Sequence, residues 1–297
     1  MPTDTRSPRT DRSDDLASLE AGLDALALDT RSRTTIGARL RRTVLPPVLA
    51  IVVVLAAWQL FAWSGIKERY AVPWPIDVWN TFTAAWADGV VQEAIWTSMS
   101  RGIVGFLAAI VVATPLGLLV ARVGFVRAAV GPILSALQSL PSVAWVPVAI
   151  LWFGLTDATM YFVILMGAVP SIASGLVSGL DQVPPLYLRV GRVLGATGLT
   201  SARHVLLPAA FPGYLAGLKQ GWAFAWRSLM AAEIIAASPQ LGIGFGQLLQ
   251  RGRDLADMDI VLTTVILILV MGMIVDAVAF RPLERRVLRT RGLLSRP

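Results

Sequence analysis

The side chains that could carry out chemistry are few in this sequence. It contains no cysteine and one histidine, His204, so thiolate metal sites, iron–sulfur clusters and histidine-based catalytic triads are excluded. Its only lysines are Lys67 and Lys219, and the Gly-x-x-x-x-Gly-Lys motif for phosphate binding does not occur. The sequence therefore predicts a protein that is not an enzyme and has no catalytic residue, no metal site and no cofactor.

Three charged residues in one apolar stretch, 209–238, are the first candidates for a functional site: Lys219, Arg227 and Glu233. A charge near the centre of a bilayer costs about 2.5 to 3.5 kcal/mol on insertion scales, so such residues normally face protein or water. At 3.6 residues per turn, Lys219 and Glu233 share one side of a helix with three large apolar residues. These are Trp222, Trp226 and Met230. The stripe is typical of a translocation path, and ordinary helix packing explains it equally well.

Each intramembrane charge also has a structural explanation. Arg227 either attracts an anion or forms an ion pair with Glu233 or Asp276. For Glu233, a structural or gating pair is favoured over contact with a substrate. Lys219 is expected to anchor its helix at the cytoplasmic boundary of the membrane, and Arg101 is expected to contact lipid headgroups at the outer boundary.

Two further tryptophans, Trp145 and Trp152, lie in the stretch 128–155, which contains Pro141 and Pro147. Because proline removes a backbone donor and clashes with the preceding turn, we expect a kinked or broken helix here. Irregular backbone at membrane depth is tolerated only against protein or a cavity. Both tryptophans are therefore candidates for the translocation path.

The elements that must position these residues are membrane spans. Apolar residues make up 55% of the 297 residues, charged residues make up 15%, and the mean hydropathy is +0.65. This composition excludes disordered and disulfide-rich proteins and argues against a soluble domain. Six stretches can cross about 30 Å of hydrocarbon as helices, which predicts an all-α polytopic membrane protein. They are 44–63, 103–121, 128–155, 158–180, 209–238 and 260–279.

The distribution of basic residues predicts the orientation of these spans. If the N-terminus is cytoplasmic, nineteen Lys and Arg residues lie in cytoplasmic segments and four in outer segments. This asymmetry places both termini in the cytoplasm. It also explains the net charge of +7 without a nucleic acid partner and makes lipid phosphate the expected neighbour. Residues 1–43 are predicted to be a disordered cytosolic tail, 44–290 the transmembrane domain, and 291–297 a C-terminal tail.

The segment 181–208 is the one long cytoplasmic connection that this topology predicts. Leu186–Leu194 can form a short amphipathic helix, and Gly195 or Gly198 can supply the left-handed residue that ends it. Thr200 or Ser201 is expected to cap a second helix. The pattern predicts a helix-turn-helix on the membrane surface, and an ordinary interfacial connector is the alternative.

The spacing from Gly195 to Pro208, closed by Val205-Leu-Leu-Pro208, resembles the "EAA" loop of binding-protein-dependent ABC importer permeases. Other segments resemble the sulfonate, taurine and nitrate branch of that family, and the likeness covers about residues 44–290. They are 98–106, 140–147, 150–154, 231–238 and 283–286. The Glu-Ala-Ala triplet itself is replaced by Arg189-Val190-Gly191.

The resemblance implies a type I importer permease fold with six helices, in which segment 181–208 docks onto an ATPase subunit. The residues that match the docking surface are Arg189, Val190, Gly191, Leu194, Gly195, Ala196, Thr197, His204 and Pro208. It also implies partners: a second copy of this chain, a cytosolic ABC ATPase dimer that uses the ATP, and an extracytoplasmic solute-binding protein. The expected location is a bacterial inner membrane.

The resemblance implies a small organic anion as the solute: an aliphatic sulfonate or taurine first, and nitrate next. Permeases for vitamin-precursor pyrimidines share the same motifs and remain an alternative. An ion-coupled secondary transporter is weaker, because Glu233 and Asp276 are the only carboxylates available in the spans and no inverted repeat is visible. A polytopic membrane enzyme is weakest, because no paired catalytic groups occur.

Overall fold

The computed structural model describes residues 45–290, and the tails predicted at 1–43 and 291–297 lie outside this range. Every regular element in the described part of the chain is helical. We number the α-helices in chain order. They are α1 Leu45–Trp63, α2 Pro75–Ala87, α3 Val90–Arg122, α4 Gly124–Ser139, α5 Val146–Phe153, α6 Asp157–Asp181, α7 Pro185–Val193, α8 Gly198–Ser201, α9 Leu207–Ile235, α10 Phe245–Asp254, α11 Met258–Val275 and α12 Arg281–Thr290.

Short turns connect several of these helices. Two 3-10 turns, Ser142–Trp145 and Pro239–Leu241, precede α5 and α10. Two π-helical turns, Ala202–Leu206 and Asp276–Phe280, join their neighbours into longer helices. Helix α1 belongs to one compact unit, and residues from Ser64 onward form a second. The functional candidates all belong to the second unit.

Within residues 45–290, four helices are long and apolar enough to cross a membrane: α1, α3, α6 and the continuous helix Met258–Arg289. The pair α4 and Ser142–Phe153 makes a fifth if it counts as one span, and its two parts are bent by 99°. The broken helix predicted at Pro141 is therefore confirmed. Helix α9 has 29 residues but is too polar to meet the same criterion, so the count of six stays a prediction.

Helices α6 and α9 pack against each other through glycines spaced four residues apart. A methyl group added at Gly175 would lie 2.3 Å from the Gly217 Cα, and one at Gly213 would lie 2.5 Å from the Gly179 Cα. The order of these pairs shows that the two helices run antiparallel. Small residues at this spacing let helix backbones approach closely in membranes. We call this contact the glycine seam.

Helix α3 runs parallel to α6, and an ion pair lies at each end of α6. Arg101 Nε lies 2.8 Å from Asp157 Oδ1 at the beginning of α6. Arg127, in the first turn of α4, lies 2.5 Å from Asp181 at the end of α6. Helix α6 has 25 residues, about 37 Å at 1.5 Å per residue, so the two pairs lie about one membrane thickness apart.

Candidate functional site

The segment 181–208, which we call the foot, forms the helix-turn-helix that the sequence predicts. Helix α7 ends at Gly195, whose φ of 81° is left-handed. The Gly195 N–H donates to the Arg192 carbonyl at 3.0 Å, and the Ala196 N–H donates to the Gly191 carbonyl at 2.8 Å. These two bonds define a Schellman motif, which satisfies carbonyls that the helix end leaves without partners. The sequence predicted Gly195 or Gly198 as the residue that ends the first helix, and the structure shows that it is Gly195.

The foot has two arms: α7 is the first, and α8 with the π-helical turn Ala202–Leu206 is the second. The second arm begins earlier than the sequence suggested. Gly198 also has a positive φ, 52°, and starts α8. The N–H groups of Thr200 and Ser201 donate to the Thr197 carbonyl at 3.1 and 3.3 Å. The predicted capping role of Thr200 or Ser201 is therefore wrong, because the turn at Gly198 places both residues inside the first helical turn.

A close contact between the two arms involves the last residue of the altered triplet. A methyl group at Gly191 would lie 2.9 Å from Val205 Cγ2, tighter than side chains normally approach. Gly191 thus lets α7 lie directly on the second arm. An alanine in this position of the triplet would carry that methyl group, so the glycine of Arg189-Val190-Gly191 allows a closer contact than Glu-Ala-Ala would.

The foot presents an apolar groove on its surface. The groove has a volume of about 750 Å³ and is lined from both arms. Leu194 at its edge is 79% exposed, and Arg189 is also exposed. Exposed apolar patches with polar neighbours mark sites of protein association. The residues that line the groove include Leu186, Tyr187, Val190, His204 and Pro208.

The aromatic stripe of α9 lies inside the described fold. Trp222 and Trp226 are buried and stack with their ring centroids 6.1 Å apart. Trp222 meets Phe106 edge-on at 5.3 Å, and Trp226 meets Phe245 at 6.3 Å. Neither indole N–H has a hydrogen-bond partner within residues 45–290. Trp222 thus packs against α3 and Trp226 against α10, and the buried Met230 belongs to the same hydrophobic cluster.

Glu233 is fully buried and accepts hydrogen bonds from three sides. The Ser98 hydroxyl lies 2.8 and 3.0 Å from its two carboxylate oxygens, and the Gly246 N–H donates to it at 2.9 Å. Arg101 Nη1 lies 3.3 Å away and forms the ion pair. A buried carboxylate needs an ion pair and hydrogen bonds to offset its loss of hydration, and Glu233 has both. The geometry favours the pairing that the sequence analysis preferred over contact with a substrate.

Arg101 is the central residue of this network, and the sequence analysis misjudged it. It is 5% exposed and bridges Glu233 and Asp157, so the expected contact with lipid headgroups is wrong. Its Nη2 also donates to the Leu241 carbonyl in the loop that follows α9. The Phe245 N–H donates to Ser98 Oγ at 2.9 Å. The network therefore fixes α3, α6, α9 and the start of α10 to one another.

Arg227 lies on a different side of α9 from Glu233 and is exposed. Its Nε donates to the Ala223 carbonyl at 2.9 Å, and its guanidinium lies 4.7 Å above the Phe224 ring. Both predicted acidic partners bind other cations. Glu233 pairs with Arg101, and Asp276 lies 2.9 Å from Lys219 and 3.0 Å from Arg281. The structure therefore does not support the ion-pair explanation of Arg227.

Two cavities meet at Arg227. The first, about 380 Å³, opens at the helix break and is lined by polar and apolar groups of α4, the break and α9. Its polar side chains besides Arg227 are Gln138, Ser139 and Ser142. The second, about 490 Å³, lies between α9 and α12, with Lys219, Gln220 and Glu284 among its lining residues. The exposed cation and the irregular backbone thus share one space.

The known family whose sequence model matches this chain is the binding-protein-dependent transport system inner membrane component, over residues 113–289. The chain belongs to this family. The permease therefore lies in a membrane as part of a transport system, and the predicted resemblance is confirmed.

Relatives of the permease include proteins of the predicted branch. It is 26% identical to the taurine transport system permease protein TauC of Escherichia coli, over 84% of this chain and 90% of TauC. It is 33% identical to the nitrate import permease protein NrtB of Synechocystis, over 68% of this chain and 75% of NrtB. Among solved structures, an inward-facing MetNI methionine ABC transporter matches with a TM-score of 0.57 and 20% identity. That match covers 67% of this chain and 96% of the other, and it shows the type I permease fold.

The permease places the two tryptophans of the broken span against α6. Trp145 is half-buried, with its ring 6.2 Å from Phe162. Trp152 is exposed and lies 5.6 Å from the same ring. Their contribution to the path stays a prediction. Within residues 45–290, the permease contains no group of three acidic or histidine side chains that could hold a metal ion.

Proposed function

We propose that this permease is the membrane subunit of an ATP-driven importer for a small oxyanion, of the sulfonate, taurine or nitrate class. The observation that carries the proposal is the position of Arg227, an exposed cation where two cavities meet. The two carboxylates that were predicted to pair with Arg227 bind other cations instead. The relatives that are named for taurine transport and nitrate import support the same class of solute.

The surroundings of Arg227 suit an oxyanion. A guanidinium donates two parallel hydrogen bonds to oxygens of a sulfonate or nitrate group, a geometry that an ammonium cannot reproduce. The Phe224 ring below it and the bond to the Ala223 carbonyl orient the guanidinium. Ser139 and Ser142 line the cavity beside it and provide hydroxyl groups for further contacts.

ATP hydrolysis by a partner subunit is proposed to drive transport through the foot. The sequence has no phosphate-binding loop of its own. The second arm of the foot continues into α9 through the π-helical turn, so movement of the foot is transmitted along the helix that carries Arg227. Arg227 lies 19 residues beyond Pro208, about 28 Å along that helix. The groove on the foot is the proposed contact with the ATPase.

The remaining partners follow from the same proposal. A second copy of the permease would face the exposed side of α9 and complete the path, and a solute-binding protein would deliver the anion at the end that carries α10. Both termini are proposed to be cytoplasmic, as the distribution of basic residues predicts. The predicted path residues Trp145, Trp152, Trp222, Trp226, Met230 and Glu233 would act through packing more than through contact with solute.

The proposal is tested by uptake in proteoliposomes that contain the permease, its ATPase and its solute-binding protein. At a saturating concentration of loaded binding protein, Arg227→Gln is expected to lower taurine or nitrate uptake about tenfold or more, because a charge-assisted hydrogen bond is lost. Uptake by Arg227→Lys is expected to lie between that of the wild type and that of Arg227→Gln. Arg122→Gln removes an exposed charge elsewhere, and its uptake is expected to match the wild type. Equal uptake by wild type and Arg227→Gln would exclude the anion role.

The energy source is tested separately in cells. Depleting ATP at a constant proton gradient is expected to stop uptake. Uptake that persists under these conditions would identify a secondary transporter and overturn the proposal.

A further inference from the structure

The last long helix changes abruptly from apolar to basic. Helices α11 and α12 are joined by the π-helical turn Asp276–Phe280 into one continuous helix. On its apolar part, Ile274 and Val278 are exposed, Val278 by 71%. One turn later the sequence becomes rich in arginine. We call Arg281, Arg285, Arg286 and Arg289 the arginine face.

The arginine face lines a cavity of about 540 Å³, with Ala277 and Pro282 completing its wall. Ala277, Arg281, Arg285 and Arg289 follow one another at four-residue spacing, so they share one side of the helix. Several guanidinium groups that converge on one cavity form a concentrated positive charge. An anion with several acceptor oxygens is the ligand that such a group recognises.

Neither Asp276 nor Glu284 lines this cavity, although Asp276 pairs with Arg281. Asp276 lies 2.9 Å from Lys219 and 3.0 Å from Arg281 Nε. Glu284 lies 3.8 Å from Lys219 and lines the separate cavity beside α9. The two sides of α12 are thus divided, with the acidic side against α9 and the arginine face directed outward.

We propose that the arginine face binds the phosphate group of an anionic phospholipid, whose acyl chains lie along the exposed residues Ile274 and Val278. The two parts of such a lipid match the two parts of this helix in order and spacing. The phosphate layer of a membrane begins where the hydrocarbon ends, and the first arginine, Arg281, follows the exposed Val278 by three residues, about one helical turn. Basic groups next to a span attract anionic lipids by about fivefold in affinity per residue.

The experiment measures which lipids the full-length permease retains. The protein is extracted from vesicles that contain equal amounts of phosphatidylglycerol and phosphatidylcholine, and bound lipids are counted by native mass spectrometry. The wild type is expected to retain phosphatidylglycerol selectively. The double variant Arg285→Gln/Arg289→Gln is expected to lose this selectivity by about tenfold or more. It leaves Arg281 in place, since that residue holds Asp276.

The matched control is Arg251→Gln/Arg253→Gln, which removes two exposed arginines from the end of α10. It is expected to keep the wild-type selectivity. An equal loss in both double variants, or no selectivity in the wild type, would overturn the proposal. If the first double variant does not fold, the single variants Arg285→Gln and Arg289→Gln are measured, and each is expected to lower the selectivity about fivefold.

A competition experiment distinguishes lipid from free phosphate. Millimolar inorganic phosphate added to the extracted protein is expected to leave the bound phosphatidylglycerol in place, because the acyl chains contribute contacts that phosphate lacks. Full displacement of the lipid by inorganic phosphate would show that the cavity is a site for the free anion and would contradict the lipid assignment.

Discussion

The two sides of helix α9 treat charge in opposite ways. Glu233 lies on the inner side, fully buried, and receives hydrogen bonds from Ser98, Gly246 and Arg101. Arg227, six residues earlier, lies on the outer side beside two cavities. An intramembrane charge is therefore no indication of function by itself. The buried carboxylate has its partners within the fold, whereas the exposed cation is the group that we propose to meet a solute.

The comparison predicts the largest effect for loss of the inner charge. Glu233→Ala is expected to lower the free energy of unfolding by about 3 to 5 kcal/mol, because it leaves Arg101 buried with a partner removed. Denaturant titration in mild detergent, followed by tryptophan fluorescence, measures this change. Glu233→Gln keeps the hydrogen-bonding shape and is expected to cost less. A stable Glu233→Ala variant with impaired uptake would reverse the roles assigned to the two sides.

The glycine seam provides a second test of the inner side, with a smaller effect. Gly217→Ala is expected to lower the free energy of unfolding by about 1 to 3 kcal/mol, because the added methyl would lie 2.7 Å from the Gly175 Cα. Gly131→Ala is the matched control, since nothing lies within 4 Å of a methyl group there. That control is expected to raise stability by about 0.5 to 1 kcal/mol. The same denaturant titration measures both variants. If Gly217→Ala and Gly131→Ala changed the free energy of unfolding in the same direction, the close backbone contact at the glycine seam would be contradicted.

A third prediction concerns the foot, whose movement is proposed to be transmitted along α9 to Arg227. Gly195→Val forces a β-branched residue into left-handed backbone, which costs roughly 1 to 2 kcal/mol. Since the foot is exposed, the expected result is normal insertion of the permease with loss of ATPase copurification or of uptake. Gly195→Asn tolerates this backbone and is the control. Unchanged copurification and uptake in the valine variant would separate the foot from energy coupling.

The smallest effect on stability is expected on the outer side itself. Arg227→Gln should change the free energy of unfolding by less than about 0.5 kcal/mol, because an exposed side chain contributes little to the fold. Arg101→Gln, measured beside it, should be strongly destabilising. If Arg227→Gln and Arg101→Gln lowered the free energy of unfolding equally, the contrast between the exposed and the buried side of α9 would be contradicted.

Much of this architecture could be predicted from local patterns. The break at Pro141 and the left-handed Gly195 follow from the backbone chemistry of proline and glycine, which acts over a few residues. The membrane location follows from composition, and the family follows from motif spacing. These features depend on near neighbours in the chain, so the sequence alone determines them.

The partners of the buried charges could not be predicted in the same way. Periodicity placed Glu233 on the same side as Trp222 but did not show what that side contacts. Its partner Arg101 is 132 residues away, and only the packing of α3 against α9 brings the two together. The four-residue spacing of Gly175 and Gly179, and of Gly213 and Gly217, was a readable signal for the seam that our sequence analysis did not use.

The glycine seam also limits how such a permease can change its solute. Where two backbones touch directly, no side chain is present that a substitution could shorten, lengthen or recharge. We therefore expect substitutions that change the solute to act on other surfaces, such as the helix break at Pro141 and the exposed side of α9 that carries Arg227. The glycine seam is the part of the molecule that we expect to stay the same when the transported solute changes.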